Sequence, residues 1–475
     1  MRSNKTHSSI DLSHKFFYTW KRCKKPYQKK TWEDLKKTLT GLLILPDSEN
    51  YDASRAIWNG MIDRKPACII QCAHVNDVVA AVNFARKHQL LVAVKGGGHN
   101  AAGFAICDEG MVIDLSNMKE IIVDPNTKRA VAQPGVLWGE LDKATQEHGL
   151  AVTGGAVSTT GIAGLTLGGG VGWLMGKYGA TCDNLLSAQL VTADGEVLQA
   201  SAEENPDLFW AIRGGGGNFG IVTSFTYQLH PVGNIIGGMV LHPMEKIEEM
   251  LKFFRNFTKN APDELTTYAF TMTSPEGMPM AGMALCYCGH DLKEGEKLIA
   301  PLRAFGPPLV DMIGPMPYLQ QQAMLDPTVP HGQFSYWKAN QLTSLSDEAI
   351  STFKNQIPSV TSPRTMVLIE HHHGAINQVA PDATAFRQRE SPYDFVIISL
   401  WNQPDENDIH IGWTRDFFEA MKPFFSSGVY VNALFNDEGA DRVRSAYGEN
   451  YKRLRQVKQK YDPKNFFRCN NNIAP

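Results

Sequence analysis

A histidine follows three consecutive glycines in the segment 95–100, which reads Lys-Gly-Gly-Gly-His-Asn. Because glycine lacks a Cβ atom, the backbone N–H groups of such a loop can close around an anion and reach positive φ at little cost. The pyrophosphate of a dinucleotide is the expected ligand, and His99 would lie next to it. Taken alone, however, the loop is better explained as a bulge or tight turn, and a lone histidine as an ordinary hydrogen-bonded side chain.

Two further glycine-rich segments, at residues 153–179 and 214–217, change that balance. Three loops that each require close approach of the backbone indicate one extended ligand lying against them. The first loop is not a Rossmann fingerprint, since it lacks Gly-x-Gly-x-x-Gly and the acidic residue that binds ribose. It is not a P-loop either, because Lys95 precedes the glycines.

Strands and helices alternate over the first half of the chain, which predicts a mixed α and β fold. A helix is expected to begin at Trp32 and reach Leu43. Apolar spacing predicts a second helix over 75–89, and an Asp-Gly turn predicts a hairpin over 185–200. Further strands are expected at 67–72, 90–94, 111–115, 129–133 and 221–229, and further helices at 137–148 and 206–213.

The composition changes near Pro231: residues 232–430 are richer in Met, Pro and aromatic residues and have no glycine-rich loop. This change predicts a second domain. Its expected strands are 266–273, 281–288, 365–370 and 395–401, and its expected helices are 246–257 and 408–421. A last helix is predicted over 440–460, where Asp462-Pro463 ends it.

Several motifs occur in a fixed order along the chain. They are the loop 95–100, the glycine-rich segment 161–172, Lys177-Tyr-Gly179 with Asp183-Asn184, the segment 207–222, Tyr430-Val-Asn432, and Asp462-Pro-Lys-Asn465. In this order they resemble the motifs of the berberine bridge enzyme family of FAD-linked oxidases, whose FAD-binding fold is of the vanillyl-alcohol-oxidase (PCMH) type. The resemblance covers residues 37–230 and 430–475.

The resemblance implies an α+β fold with a two-part FAD-binding domain and a substrate domain whose antiparallel sheet is covered by helices. The expected organisation is a basic arm (1–36), the first part of the FAD-binding domain (37–230), the substrate-binding domain (231–429) and a return to the FAD-binding domain (430–475).

In that family the loop histidine bonds to the 8α-methyl group of the flavin, so the resemblance assigns this role to His99. Some members add a second bond from a cysteine, but the matching residue here is Val157, so we expect a single covalent link. The remaining residues expected to bind FAD are Lys95, Gly96, Gly97, Gly98, Asn100, Gly103, Gly155, Thr159, Thr160, Gly164, Asn218, Gly220, Val222, Asn432, Asn470 and Asn472.

The catalytic base is less well marked. Many family members carry a tyrosine directly after the Tyr-x-Asn motif, but this chain has Ala433 there. If Tyr430 lay on a strand, it would face away from Ala433. The catalytic candidates are Tyr430, Lys338 of the segment Tyr336-Trp337-Lys338, Glu370 and His372. No metal is expected, because alternation along a strand separates His372 from His371 and His373.

The expected reaction is transfer of a hydride to flavin N5 from an alcohol or amine carbon of a sugar, alkaloid or other secondary metabolite. Oxygen or another acceptor would reoxidise the flavin. Two alternatives remain: a reductase with noncovalent FAD, and a carrier or scaffold that has lost catalysis.

The bulk composition limits the other possibilities. A net charge of −3 over 475 residues gives no field for nucleic acid. No apolar run is long enough to span a membrane and no secretory signal is visible, so a cytoplasmic location is expected. None of the eight cysteines forms a Cys-x-x-Cys pair, and reduced thiols are expected. The basic N-terminal stretch is interpreted as a solvated arm rather than a partner-binding tail.

Overall fold

The computed structural model describes residues 29–475, so most of the predicted basic arm lies outside the described residues. The chain divides into a unit that ends at Thr38 and a second, compact unit from Leu39 to Pro475. The described part of the first unit contains the helix α1 (Lys29–Lys36).

The helices of the second unit are α2 (Tyr51–Arg55), α3 (Val75–His88), α4 (Trp138–Gln146), α5 (Ile162–Leu167), α6 (Met175–Tyr178), α7 (Pro206–Ile212), α8 (Ile247–Thr258), α9 (Leu292–Arg303), α10 (Tyr318–Gln322), α11 (Asp347–Gln356), α12 (Ala375–Gln378), α13 (Asn407–Met421), α14 (Ala440–Tyr447) and α15 (Asn450–Tyr461). The strands are β1 (Leu42–Ile44), β2 (Cys68–Gln71), β3 (Val92–Lys95), β4 (Met111–Asp114), β5 (Ile121–Asp124), β6 (Arg129–Ala132), β7 (Leu150–Ala151), β8 (Leu185–Val191), β9 (Val197–Ser201), β10 (Ile221–Gln228), β11 (His230–Pro231), β12 (Asn234–Pro243), β13 (Leu265–Thr273), β14 (Pro279–Tyr287), β15 (Val310–Asp311), β16 (Gly314–Pro317), β17 (Phe334–Leu342), β18 (Met366–His371) and β19 (Tyr393–Trp401).

Two sheets form the glycine-rich half of the fold. A four-stranded sheet has the order β1-β2-β4-β3, with β2, β4 and β3 parallel, and a five-stranded antiparallel sheet has the order β5-β6-β10-β8-β9. The loop 95–100 therefore leaves the carboxyl end of β3. Lys95 is the direct register partner of Asp114 on β4, and their side chains form a buried ion pair of 3.2 Å. This pair anchors the base of the loop.

The other half is an eight-stranded antiparallel sheet with the order β15-β12-β14-β13-β18-β19-β17, with β16 also pairing with β12. Side chains alternate between its faces, as they must on a strand. On one face Phe395 packs against Phe353 of α11 and Phe417 of α13. The opposite face of the sheet points toward the glycine-rich half. The α+β fold with a helix-covered antiparallel sheet is thus confirmed.

The chain after Gly439 returns to the first half, where Tyr447 and Leu454 share a core with Trp210 of α7. The large sheet is built entirely from strands between Asn234 and Trp401. The proposed domain boundaries at 230/231 and 429/430 stay predictions.

Two predicted helices were wrong in extent. The helix expected from Trp32 to Leu43 ends at Lys36, and β1 begins at Leu42. The helix expected over 440–460 is divided into α14 and α15, because Gly448 lies between them with φ of 48°, a left-handed conformation that ends a helix. Among the described residues, no helix is long and apolar enough to cross a membrane.

Candidate active site

A cavity of about 380 Å³ lies between the glycine-rich loops and the free face of the large sheet. Most of the predicted FAD-binding residues come together in its lining, although they are spread over most of the chain. Those that line it are Gly96, Gly97, Gly98, His99, Asn100, Gly155, Thr160, Gly164, Asn218, Gly220, Val222, Asn432 and Asn470.

Four residues expected to bind FAD lie outside the cavity lining, namely Lys95, Gly103, Thr159 and Asn472. Lys95 stabilises the base of the loop, because its Nζ donates a hydrogen bond to the Ser54 carbonyl at 2.8 Å and also pairs with Asp114. Thr159 lies behind the histidine, with its hydroxyl 3.5 Å from His99 Nε2. Gly103 serves a turn with φ of 78°. For Lys95, Gly103, Thr159 and Asn472 direct contact with FAD stays a prediction.

The glycines of the first loop are needed for close packing of two backbones. A Cβ atom on Gly97 would lie 2.6 Å from the Cα atom of Gly161, the N-cap residue of α5. Gly98 has φ of 68°, which a side chain strongly disfavours. The loop is thus packed against the second glycine-rich segment; a side chain at Gly97 would clash with that segment, and one at Gly98 would strain the backbone.

Two other glycines of the cavity lining have space around them for a side chain. A Cβ atom on Gly164 or Gly217 would meet no protein atom within 4 Å, although both residues line the cavity. Packing within the protein does not explain the missing side chains, whereas a group bound in the cavity does. Asn470 also lines the cavity, and its Oδ1 atom is buried without a hydrogen-bond partner. These features fit a bound dinucleotide.

His99 lies in an aromatic environment that sequence reasoning missed. Its ring stacks on Trp58, with centroids 4.8 Å apart and planes 21° apart, and it meets His331 edge-on at 6.0 Å. Burial, together with His331, lowers the pKa of His99 to about 4. The imidazole is therefore neutral near pH 7, with a lone pair free on one nitrogen.

The wall opposite the glycine loops is apolar. We call the side chains Met366, Leu368, Val396 and Ile398 the apolar wall; all four line the cavity. They alternate with residues such as Val367 and Ile397, which belong to the core under the helices. This period of two assigns one face of β18 and β19 to the cavity.

The apolar wall ends in three ionisable side chains, Glu370, His372 and Asp394, which we call the polar end. Each offers one ligand atom within 4.8 Å of the others. Burial alone would lower the pKa of His372, but Glu370 and Asp394 beside it raise that pKa above its ordinary value. Burial raises the pKa of Asp394 to about 7.

The prediction about the three consecutive histidines was half right. His371 and His373 stack on each other at 4.4 Å, and His372 points to the opposite side, as alternation predicts. The same alternation, however, brings His372 to Glu370 and Asp394. Sequence reasoning missed this, and the absence of a metal stays a prediction.

Tyr430 lines the cavity but is poorly placed to act as a base. Its hydroxyl accepts hydrogen bonds from the Gly170 N–H at 3.1 Å and from Asn432 Nδ2 at 2.9 Å. Burial raises the pKa of the Tyr430 phenol well above its usual value. The segment is a turn of 3-10 helix over Val431–Ala433 rather than a strand. As a result Tyr430 and Ala433 both line the cavity, which corrects the expectation of opposite faces.

Lys338 does not line the cavity. Its Nζ forms ion pairs with Asp437 at 3.1 Å and Glu438 at 2.8 Å. Its neighbour Trp337 lines the cavity instead, because successive residues of β17 face opposite sides. A catalytic role for Lys338 is therefore not supported. Other lining residues that the motifs did not reveal are Trp58, Asp394, Cys469 and Asn471.

Comparisons with known proteins agree with this arrangement. A family model described as an FAD binding domain matches residues 66–201, and one described as berberine and berberine like matches residues 429–474. An FAD-linked oxidoreductase of Dictyostelium discoideum is 34% identical over 444 residues, covering 92% of this chain and 95% of the relative. The (R)-6-hydroxynicotine oxidase of Paenarthrobacter nicotinovorans is 30% identical over 452 residues, covering 92% and 97%.

Solved structures show the same fold. The crystal structure of 6-hydroxy-D-nicotine oxidase from Arthrobacter nicotinovorans superposes with a TM-score of 0.86 at 29% identity, covering 92% of this chain and 98% of that one. BBE-like 1 of Physcomitrella patens gives a TM-score of 0.85 at 24% identity, covering 94% and 99%. The chain therefore belongs to the berberine bridge enzyme-like family of FAD-linked oxidoreductases, and its cofactor is FAD.

Proposed function

We propose that the protein oxidises an alcohol or amine carbon of a small, largely apolar molecule, using FAD joined by one covalent bond to His99. The observation that carries this proposal is the cavity itself. The glycine loops and His99 lie on one side of it. The apolar wall lies on the other side and ends at the carboxylates of Glu370 and Asp394. When bound, FAD supplies the two-electron acceptor for the hydride.

Two features support a single covalent link. His99 lines the cavity, and its lowered pKa keeps the imidazole neutral and nucleophilic near pH 7. Val157 also lines the cavity, at the position where some family members have a second linking cysteine. Cys469 lines the cavity as well, and burial raises the pKa of its thiol to about 11, so little of it is thiolate near neutral pH.

The protein's own side chains divide the remaining work. The apolar wall packs against the substrate and excludes water. Glu370 lines the cavity with its side chain 15% exposed, and it is the proposed proton acceptor. Because Glu370 can take this role, Ala433 in place of the family tyrosine does not require a protein that has lost catalysis. The similarity to a nicotine-type oxidase supports amines among the substrates.

The covalent link is tested on denatured protein. Wild-type protein is precipitated with acid or separated on a denaturing gel, and the flavin that stays with the polypeptide is measured by fluorescence. We expect acid-stable flavin in the wild type, none in His99→Ala, and wild-type amounts in His148→Ala, whose side chain is exposed. Complete release of flavin from the wild type would disprove the bond.

The reaction is tested by anaerobic mixing with a panel of amines, alcohols and sugars. Bleaching of the flavin absorption band by at least one compound is the expected result. The absence of bleaching across the panel, in protein that carries flavin, would contradict an oxidoreductase role and favour a carrier.

A further inference from the structure

The polar end is built into the sheet rather than formed by mobile loops. Glu370 on β18 and Asp394 on β19 are direct register partners, so their Cβ atoms lie about 5 Å apart. His372 follows Glu370 by two residues and joins the same group. Both carboxylates line the cavity.

Two carboxylates of this group share one cationic partner, His372, whose pKa they raise. Within the described residues, neither carboxylate has a lysine or arginine nitrogen within 4.0 Å, and the only ion-pair contact is His372 Nε2 to Glu370 Oε2 at 3.8 Å. That distance is too long for a hydrogen bond. The described cavity lining contains no lysine or arginine either.

Several polar atoms of the group are buried without a partner. Asp394 is 1% exposed and His372 is 2% exposed. Asp394 Oδ1 and both ring nitrogens of His372 have no hydrogen-bond partner among the described residues. Above the pKa of Asp394, about 7, the two carboxylates carry more negative charge than His372 can balance. Leaving a buried charge unpaired is costly, so a cation that enters the cavity would relieve this cost.

We propose that the polar end is the binding site for a protonated amine of the substrate, while the apolar wall holds its hydrocarbon part. This inference rests on the proposed function only in taking the cavity as the substrate site. An ammonium group has three N–H donors, and carboxylates are its strongest acceptors. A sugar would instead need many paired donors and acceptors, which Met366, Leu368, Val396 and Ile398 do not provide.

The same contact prepares an amine for oxidation. The bound ammonium group passes one N–H proton to a carboxylate of the polar end, which leaves a neutral amine. With FAD bound as the two-electron acceptor, the C–H bond next to nitrogen would break, its hydrogen would leave with the electron pair as hydride to FAD, and the nitrogen lone pair would form a C=N bond. The amine would thus lose the two electrons that FAD takes up.

The experiment uses the flavin-loaded enzyme and ligands that cannot react. Cumylamine has no hydrogen on the carbon next to nitrogen, and 2-phenylpropan-2-ol is its neutral analogue of nearly the same shape. Binding is followed through the change that each ligand causes in the flavin absorption spectrum at pH 8. We expect the amine to bind at least tenfold more tightly than the alcohol.

The preference for the amine should be lost in Glu370→Gln and Asp394→Asn and kept in Glu276→Gln, which changes an exposed loop carboxylate. Equal affinities of the wild type for the two ligands would overturn the inference without any variant. Zinc ion alone is the second probe. Tight zinc binding that the amine cannot displace would also overturn it, in favour of a metal site. If a neutral sugar bleaches the flavin and the amine shows no preference, the oxidoreductase function stands and this inference fails.

Discussion

Replacing Trp58 with alanine tests whether the geometry around His99 controls flavin attachment. Trp58 is 1% exposed, and its ring stacks on His99. Its Nε1 donates to the Val329 carbonyl at 2.9 Å, and its backbone N–H donates to the Gly98 carbonyl at 3.0 Å. These two hydrogen bonds fix the position of the tryptophan ring, and the ring in turn fixes the orientation of the His99 imidazole.

The energetic cost can be estimated from these contacts. Truncating a buried tryptophan to alanine costs about 3–5 kcal/mol of unfolding free energy, a sizeable part of a total of about 5–15 kcal/mol. Trp58→Phe keeps an aromatic ring against His99 but loses the Nε1 hydrogen bond, at about 1 kcal/mol. We therefore expect alanine to free the imidazole to rotate and phenylalanine largely to retain its orientation.

The measurement is the fraction of polypeptide that carries acid-stable flavin, after expression and purification well below the melting temperature. We expect this fraction to fall to a minority in Trp58→Ala and to stay near the wild-type value in Trp58→Phe. Trp401→Ala is the matched control, because Trp401 is also 1% exposed and also donates one hydrogen bond, to Asn407, but does not line the cavity. Full attachment in Trp58→Ala, or an equal loss in Trp401→Ala, would refute the positioning role.

Two further predictions concern the C-terminal return and the polar end. Lys458→Met should lower the melting temperature and the flavin content, because Lys458 and Asp462 form a fully buried ion pair and Lys458 Nζ also donates to the carbonyls of Asn218 and Phe467; removing one partner of a buried pair costs about 3–5 kcal/mol. An unchanged melting temperature would contradict this account, and Lys458→Met with Asp462→Asn should recover part of the loss. For Asp394, burial raises the folded-state pKa to about 7, whereas an unfolded aspartate titrates near about 4. Between these values the folded state keeps a proton that the unfolded state has lost, so this group's contribution to stability falls as pH rises from about 4 to about 7 and is flat above. The melting temperature of Asp394→Asn should lack this fall, and parallel pH profiles of the two proteins would argue against it.

The cofactor half of the site could be predicted from sequence because its signals are local. A glycine that must adopt positive φ or approach another backbone leaves its mark at its own position, as Gly97 and Gly98 do. The order of the motifs then indicated the family and its fold. The same local reasoning was wrong for the helix predicted over 440–460, because Gly448 interrupts it.

The substrate half was only partly visible. Glu370 was a candidate, but Asp394 was not, because the two meet through pairing of β18 with β19 and no motif marks that register. Lys338 was chosen for its neighbours in sequence, yet alternation on β17 turns it to ion pairs on the other side.

The sequence by itself therefore determined the glycine loops, the histidine and the identity of the cofactor. Only the tertiary structure decided which side chains line the cavity with those loops. The physical reason is that strand order and register are set by packing over the whole sheet, where β17 pairs with β19 and β13 with β18. Trp58 reaches His99 in the same way, through contacts among segments that lie far apart in the chain.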